Sequence, residues 1–435
     1  MHARHWPRHG HGPHHRRPAG RTRAIAVGAA AMAVVCVVAL GLTLADSRQA
    51  ASPAPSPGST ASAAQPQPSP TQAADIHLTI GYAGDVLMHM PVMEDTAGGQ
   101  GDIGPLITGA QPWFSGADLA LCGMEVPVSP DGVASGYPVF GTLPGVVTAL
   151  AATGWDGCAT ASNHAWDQGL DGVLTTADTL EANGLGFAGT SRDEREAATP
   201  YQLYELTRQG RTVTVAQLST TYSLNGFVDH TGWAVAHNDV AWVAEQARAA
   251  RDAGADIVVL HSQLGPEYSV EPAAEQRQYA AEIAATGEVD VLFGAHPHVP
   301  QPNELVPGGP GGRGMWVSYS AGNFISNQSA EQGAVMAGIG TFVWVDVTVS
   351  DSPDGTRSVS VDALHWHPFT MDLDGGHQVL DLAALARGEV PEGVTLSAEE
   401  IALRWETVTA ALPTETYSEL PPVPTGEPPV VRPRR

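Results

Sequence analysis

Residues 289–298 read Val-Asp-Val-Leu-Phe-Gly-Ala-His-Pro-His, an apolar run that ends in two histidines one residue apart. The apolar run predicts a buried β-strand, and the residues from Gly294 onward predict a loop at its carboxyl end. Two imidazoles on such a loop can point at one place, which is how enzymes present nitrogen ligands to a metal. Taken alone, His296 and His298 also fit an ordinary turn, so their meaning depends on how the neighbouring strands end.

The earlier apolar runs of the chain end in residues of the same kind. In an open α/β sheet, ligands bind at the carboxyl ends of the strands, so these residues are candidates for one shared site. A glutamate that closes a buried run is costly without a partner, which favours a functional role for Glu125. The candidates are Asp85, Glu125, Asn163, His164 and His261. Asp167 either orients His164 or caps the next helix, and the sequence leaves both alternatives open.

Helical patterns alternate with these runs. Helices are predicted over 170–183, 241–253 and 273–285, and residues 339–350 and 357–367 alternate like paired β-strands. The order of elements predicts an α/β fold. Of the remaining histidines, His365 and His367 are predicted to be structural and His377 to lie on the surface, as are His77 and His230. His237 is expected on the surface too, and His89 stays open.

The charge of the chain is unevenly distributed. It carries 21 basic and 46 acidic residues, a net charge of −25, and contains no lysine. Six arginines precede residue 24, where no acidic residue stands, so the remainder of the chain carries about −31. A body of that charge excludes nucleic-acid binding through a basic surface.

The first 75 residues predict an anchored, exported protein. A basic, cytoplasmic tip (1–23) precedes an uncharged run (24–45) that is long enough to span a bilayer. Everything after Asp46 is then expected outside the cytoplasm, on a single-pass cell-membrane protein; a cleaved signal sequence and a secreted product are the alternative. Residues 46–75 are rich in Ala, Pro and Ser and predict an extended linker, and the proline-rich residues 412–435 predict a loose tail.

The exported body contains two cysteines, Cys122 and Cys158. Each lies in an apolar segment shortly before a candidate site residue, and two cysteines do not make a disulfide framework. We therefore expect two buried thiols rather than one bridge.

The donor set predicts a metal centre. Mixed oxygen and nitrogen donors without thiolates suit Mn, Zn or Fe. Six or seven donors exceed one tetrahedral site and fit two divalent ions bridged by a carboxylate, which can make a nucleophile from bound water.

The chain resembles a known family in six ordered motifs. It is similar to the CapA-type capsule synthesis proteins, which are associated with making or exporting poly-gamma-glutamate. The motifs are Gly84-Asp85, Met124-Glu125, Asn163-His164 with Asp167, His261 through Tyr268, Gly294 through His298, and Tyr319 through Phe324.

This resemblance implies a fold like that of the calcineurin-like metallophosphoesterases, a four-layer α/β/β/α sandwich. It would occupy residues 76–370, between the predicted membrane helix and a helical extension over residues 371–411.

The resemblance also implies roles for the candidate residues. Asp85 and Glu125 would be the first ligand and the bridging carboxylate, with Asn163, His261 and His296 completing one metal site and His298 reaching the other. His164, with Asp167, would be catalytic, as general acid or transition-state stabiliser. Glu267 and Asn323 would contact the substrate.

Three positions depart from the pattern that the resemblance implies. Leu87 stands where the wider phosphoesterase superfamily has a histidine, and Gly123 stands where the family usually has asparagine. The loop after His261 is two residues longer than usual. These departures predict a weakened metal position.

The expected function is therefore capsule or poly-gamma-glutamate synthesis by a metal-dependent hydrolase. Its partners would be that polymer or another cell-surface polymer, together with membrane-bound polymer synthase subunits. A non-catalytic scaffolding or polymer-binding subunit, and an extracytoplasmic phosphoesterase unrelated to capsule, are the alternatives.

Overall fold

The structure, a computed structural model, describes residues 73–434. Its strands are β1 (Ile76–Val86), β2 (Leu119–Met124), β3 (Gly157–Ala159), β4 (Gly186–Ala188), β5 (Gln202–Arg208), β6 (Arg211–Thr221), β7 (Ile257–Gln263), β8 (Val291–Ala295), β9 (Asn303–Val306), β10 (Met315–Ser318), β11 (Asn323–Ile325), β12 (Ile339–Asp351), β13 (Arg357–Asp372), β14 (Gln378–Asp381) and β15 (Val430–Val431). Its α-helices are α1 (Met90–Asp95), α2 (Gln111–Phe114), α3 (Pro144–Thr153), α4 (Gly169–Ala182), α5 (Glu194–Ala197), α6 (Val240–Asp252), α7 (Ala274–Thr286), α8 (Leu382–Ala386) and α9 (Ala398–Ala411).

These strands form two mixed sheets. The first has the order β14-β13-β12-β1-β2-β3-β4, with β11 also paired to β1, and the second has the order β15-β5-β6-β7-β8-β10-β9. Strands β1 to β4 run parallel to one another, and so do β6, β7, β8 and β10. The parallel strands bring their carboxyl ends to one edge of each sheet, where ligands bind in folds of this class.

Apolar side chains place the two sheets against each other. Ile80 of the first sheet and Val215 of the second belong to one buried cluster between the sheets. Val147 of α3 packs in a separate cluster on the first sheet's other face, and Val243 of α6 does the same on the second sheet. The predicted α/β class is confirmed, and the predicted strand pair over 339–350 and 357–367 is the antiparallel pair β12 and β13.

The two body cysteines form a bridge, so the prediction of two free thiols is wrong. Cys122 of β2 and Cys158 of β3 lie opposite each other on neighbouring parallel strands and are joined as a disulfide. The sequence separates them by 36 residues, and only the strand pairing brings their Cα atoms to 4.4 Å.

The carboxyl-terminal residues also differ from expectation. The predicted helical extension over 371–411 contains α8 and α9, but β14 joins it to the first sheet. The predicted loose tail over 412–435 packs against the body. Strand β15 pairs with β5, and the buried Arg434 donates hydrogen bonds to the carbonyls of Phe187 and Thr190. Proline prevents helix here, but it does not prevent an extended segment from covering a sheet edge.

Residues 1–72 lie outside the part of the chain that the structure describes, and with them the predicted tip, the predicted membrane run and most of the linker. Within residues 73–434, no helix has both the length and the hydropathy that crossing a bilayer requires.

Candidate metal centre

Three of the predicted ligands meet where β1, β2 and the loop after β8 end. The donor atoms of Asp85, Glu125 and His298 all lie within 4.8 Å of one another, and all three side chains are buried. His298 Nδ1 lies 3.3 Å from Asp85 Oδ2, and His298 Nε2 lies 3.7 Å from Glu125 Oε1. The strand pairing explains the meeting, because Asp85 pairs with Gly123 on one side and with Asn323 on the other.

The loop that carries the two histidines is held in a strained conformation. His296 and His298 both have positive φ, 92° and 58°, a region that residues other than glycine adopt at a cost. Gly294 permits this loop to pass close to its neighbour, because a Cβ there would lie 2.0 Å from the carbonyl oxygen of Tyr319. Strain of this kind persists where the surroundings fix it, and here it turns both imidazoles toward the site.

His298 is oriented by a chain of hydrogen bonds that extends to Tyr268, in the loop after β7. Its Nδ1 lies 2.9 Å from Asn323 Oδ1, Asn323 Nδ2 donates to Gln328 Oε1, and Gln328 Nε2 donates to the Tyr268 hydroxyl. Donation of Nδ1–H to Asn323 leaves Nε2 as the free nitrogen, on the side of Glu125. Asn323, predicted to contact substrate, is buried and instead positions a histidine.

His296 belongs to a second group of possible ligands. Its donor atom lies within 4.8 Å of those of His298 and Glu267, and Glu267 is exposed. The Tyr222 ring covers His296, with 4.6 Å between the centroids. Glu267 was predicted to contact substrate, and its position also allows it to bind an ion beside His296.

Gln263 connects two of the predicted ligands, and no sequence pattern indicated this role. Its Nε2 donates to Asp85 Oδ1 over 3.1 Å, and its Oε1 accepts from the backbone N–H of Asn163 over 3.1 Å. Asn163 therefore reaches the group around Asp85 through Gln263. Gln263 is the last residue of β7, in a stretch that was predicted as a loop after His261. Only the packing of β7 against β1 reveals its position.

His261 lies outside both groups. It pairs with Phe293 on β8, deeper between the sheets than the edge where His296 stands, and its ring lies against that of Tyr82 at 4.7 Å. Both of its ring nitrogens are buried without a hydrogen-bond partner among the described residues. The structure thus leaves this predicted ligand near the site but apart from the other donors.

His164 and Asp167 form a buried pair beside the metal centre. His164 Nδ1 lies 2.7 Å from Asp167 Oδ2, which also accepts from the Phe140 backbone N–H. Asp167 therefore orients His164, and it is Gln168 that stands at the N-cap of α4. The other nitrogen, Nε2, lies 3.3 Å from the side-chain nitrogen of Asn225, a site residue that the sequence did not indicate.

Burial and charge shift the pKa values of the site in opposite directions. Burial, assisted by the neighbouring Asp85, raises the pKa of Glu125 well above its usual range. Burial also lowers the pKa of His261 and of His296 to about 3. Burial alone would lower the pKa of His298 as well, but Glu125 and Asp85 outweigh it and raise that pKa to about 9.

Six of the thirteen buried side-chain nitrogen and oxygen atoms without a hydrogen-bond partner in the described residues belong to predicted metal ligands. Both carboxylate oxygens of Glu125, the side-chain oxygen of Asn163, Nδ1 of His296 and both ring nitrogens of His261 lack hydrogen-bond partners in the described residues. Buried polar atoms are normally partnered, and these six are all metal-ligand types. The donor set therefore fits a divalent metal.

The departures from the family pattern have visible consequences. Leu87 is buried and offers no donor. At Gly123, a Cβ would lie 2.7 Å from the Tyr82 hydroxyl, so Tyr82 occupies the space of a side chain there. Neither arginine near the site segments in sequence is tied to the donors: Arg277 pairs with Glu304, and Arg313 bonds to the Val359 carbonyl.

Comparison with known proteins identifies the family. The family described as bacterial capsule synthesis protein PGA_cap matches residues 79–328, and the chain belongs to it. The PGA biosynthesis protein CapA of Bacillus subtilis (strain 168) is 31% identical over 173 residues, which are 39% of this chain and 42% of that protein's length.

Among solved structures, the calcineurin-like phosphoesterase YfkN from Bacillus subtilis is similar with a TM-score of 0.41 and 16% identity, covering 78% of this chain and 98% of that one. The NAD nucleotidase NadN of Haemophilus influenzae has a TM-score of 0.37 and 15% identity, covering 80% and 57%.

Proposed function

We propose that the protein is a metal-dependent hydrolase that works in the synthesis of capsule or poly-gamma-glutamate. The observation that carries the proposal is the buried group Asp85, Glu125 and His298, in which both Glu125 oxygens lack a hydrogen-bond partner among the described residues. Two buried carboxylates are costly together unless a cation or a proton offsets them. Family membership supports the biological setting.

The proposed centre holds two divalent ions of Mn, Zn or Fe in the fold of the metallo-dependent phosphatases. Asp85, Glu125 and His298 would hold one ion, and His296 with Glu267 would contribute to the other, with Asn163 and His261 as further donors. Bound there, the ions would polarise the scissile group and lower the pKa of a water molecule. The strained loop at His296 and His298 holds its donors in place before an ion arrives.

His164 is the proposed general acid. Asp167 accepts its Nδ1–H, so the imidazole is held in one orientation and Nε2 is directed away from the carboxylate. During phosphoester hydrolysis, the water oxygen bonds to phosphorus and the bond to the leaving oxygen breaks. Protonated His164 gives its Nε2 proton to the leaving oxygen, and the proton released by the water restores the imidazolium. The side-chain nitrogen of Asn225 lies 3.3 Å from Nε2 and 3.4 Å from Nδ1, so it lies beside the ring and not beyond Nε2.

Metal analysis of the purified full chain tests the proposal directly. We expect close to two equivalents of Mn, Zn or Fe, and a melting temperature that rises when the chelated protein is reloaded. A preparation without bound transition metal, whose melting temperature is unchanged by added Mn or Zn, would count against the proposal.

We further propose that the domain lies outside the cytoplasm, anchored to the cell membrane through residues 24–45, and acts beside membrane-bound polymer synthase subunits. Support for this arrangement comes from the sequence of the amino terminus. Loss of capsule output in cells expressing His164→Ala, with the protein still present, would favour the hydrolase.

A scaffolding subunit is the second candidate, and buried Leu87, which offers no donor, favours it. It predicts that His164→Ala cells keep capsule output whereas deletion of residues 24–45 abolishes it. Turnover of phosphodiesters by the full chain, with capsule output unchanged in cells that lack the protein, would instead favour a phosphoesterase unrelated to capsule.

A further inference from the structure

Exposed apolar side chains are concentrated in two loops that reach the candidate metal centre. Within residues 73–434, six of the thirteen exposed large apolar side chains belong to two short loops, 133–140 and 222–228. Single exposed apolar residues are common, whereas a contiguous group marks a binding surface. We call these six the apolar rim: Val133, Tyr137, Val139, Tyr222, Phe227 and Val228.

Both loops touch the proposed general acid. Phe140, at the end of the first loop, packs edge-on against the His164 ring at 4.7 Å, and Tyr137 lies 6.4 Å from Phe140. Asn225, in the second loop, lies 3.3 Å from His164 Nε2, and Tyr222 covers His296. The apolar rim therefore borders the atoms at which bond cleavage is proposed.

The net charge of the chain disfavours one kind of occupant. The chain after residue 23 carries about −31. Among the described arginines, Arg277 is paired with Glu304 and Arg313 bonds to a carbonyl, so neither is free to receive an anion at the mouth. A long polyanion would be repelled along its whole length there, whereas a neutral hydrocarbon would not.

We infer that the apolar rim binds the hydrocarbon chain of an amphiphilic substrate whose phosphoester head enters the metal centre. The inference rests on the proposed function and specifies its substrate class: a phosphoester of an aliphatic or isoprenoid alcohol. The head would meet the donors around Asp85 and Glu125, and the chain would lie over Tyr222 and Phe227 on one side and Tyr137 on the other. Burial of the chain against these side chains adds affinity that grows with chain length.

Binding of short alkyl phosphates tests the inference. We would measure ethyl phosphate and hexyl phosphate by calorimetry on the Mn-loaded full chain, because both are water-soluble and form no micelles at working concentrations. If each added methylene is buried, affinity rises about threefold to fourfold per methylene, on the order of 100-fold from ethyl to hexyl. Equal affinity for the two phosphates would overturn the inference.

Rim variants with a matched control locate the effect. Tyr137→Ser combined with Val228→Ser changes residues that are 81% and 59% exposed, so folding should be unaffected. We expect the preference for hexyl phosphate to fall below about tenfold while affinity for ethyl phosphate is unchanged. Val390→Ser, at a position 48% exposed and far along the chain, should leave the preference intact. An unchanged preference in the double variant would contradict the inference.

Two further outcomes separate this inference from the proposed function. Bound metal with equal affinity for both phosphates overturns only the inference, whereas absence of bound metal and of any phosphate binding overturns both. A concentration-dependent dimer in sedimentation, dissociated by the rim variant without a chain-length effect, would assign the surface to a second copy of the chain instead.

Discussion

Histidines occupy two kinds of site in this molecule, and the hydrogen bonding of the imidazole differs between the two. On the closing strands β12 to β14, buried His367 bonds to Asp381 through Nε2 and to the Ser418 carbonyl through Nδ1, and half-buried His365 bonds to Asp346. In and beside the metal centre, His296 Nδ1 and both nitrogens of His261 are buried without partners among residues 73–434.

The difference separates structural histidines from candidate ligands. A histidine that completes its hydrogen bonds within the protein adds to stability, whereas an unpartnered buried imidazole lowers it. Two Asp–His pairs make the contrast testable, because Asp85 with His298 and Asp381 with His367 have similar geometry, at 3.3 Å and 2.9 Å. The first pair has a second carboxylate, Glu125, beside it.

The largest effect is expected for Asp85→Asn. The variant should lose bound metal and reduce hydrolysis by about 1,000-fold or more, because a ligand and its charge are removed. In the presence of a chelator it should be at least as stable as the parent, since one of two neighbouring buried carboxylates is gone. Metal analysis and chemical unfolding measure the two effects. Asp381→Asn is the control and should retain full metal content; a loss of metal there would remove the distinction between the two pairs.

A smaller effect is expected for His164→Ala. Removing the general acid should lower kcat by about 100-fold to 10,000-fold with metal content unchanged, because His164 belongs to neither group of ligands. Asp167→Asn should lower kcat less, since it alters only the orientation of the imidazole. If His164→Ala strips the metal, His164 is a ligand rather than an acid.

The stability of the metal-free protein should depend on pH through the two unpartnered histidines. His261 and His296 have folded-state pKa values of about 3, below the unfolded value of about 6.5, so the unfolded chain binds protons first. Stability should fall as pH drops from about 6.5 toward 3, by up to about 2 kcal/mol per histidine between pH 6.5 and 5.

His298 acts in the opposite sense, because its folded-state pKa is raised to about 9. Its contribution to stability is complete below about pH 6.5 and is lost as pH rises through about 9. Urea unfolding of the chelated protein across this range should therefore show a maximum near neutral pH. Unchanged stability between pH 7 and 5 would mean that the two histidines are partnered in solution.

The smallest effect is expected in the closing strands. Asp381→Asn should lower the free energy of unfolding by about 1 kcal/mol, because it weakens one hydrogen bond to His367 while asparagine still caps α8. Thermal unfolding measures the change. A loss of activity comparable to that of Asp85→Asn would show that the closing strands also serve the site.

The ends of the buried strands were predictable from the sequence, and with them the centre of the site. Asp85, Glu125 and His298 each end or come shortly after a buried run, and the edge rule for parallel strands was sufficient to bring them together. The positions of the other site residues depend on the register between the strands, which the sequence does not show. His261 lies deeper than His296 because β7 continues to Gln263, and Gln263 takes the place at the edge.

Contacts between distant segments were not predictable from the local pattern. Cys122 and Cys158 become neighbours only once β2 pairs with β3. His377 comes after two glycines and was expected on the surface, yet it is buried between Asp95, 2.5 Å from its Nδ1, and Asn327. In each case a segment far along the chain supplies the partner, and hydrophobic periodicity does not identify it.

Residues 430–434, which pack against the body after α9, affect the last stage of folding. Val430 and Val431 add the outermost strand of the second sheet, and Arg434 bonds beside β4, the outermost strand of the first. These residues come after every other described element, so the β5 edge of the second sheet and the Phe187 carbonyl of β4 stay uncovered until synthesis has reached them. Open edges pair readily with other chains. Nascent or truncated chains without residues 430–434 would therefore be the forms most prone to aggregate, and would depend most on chaperones.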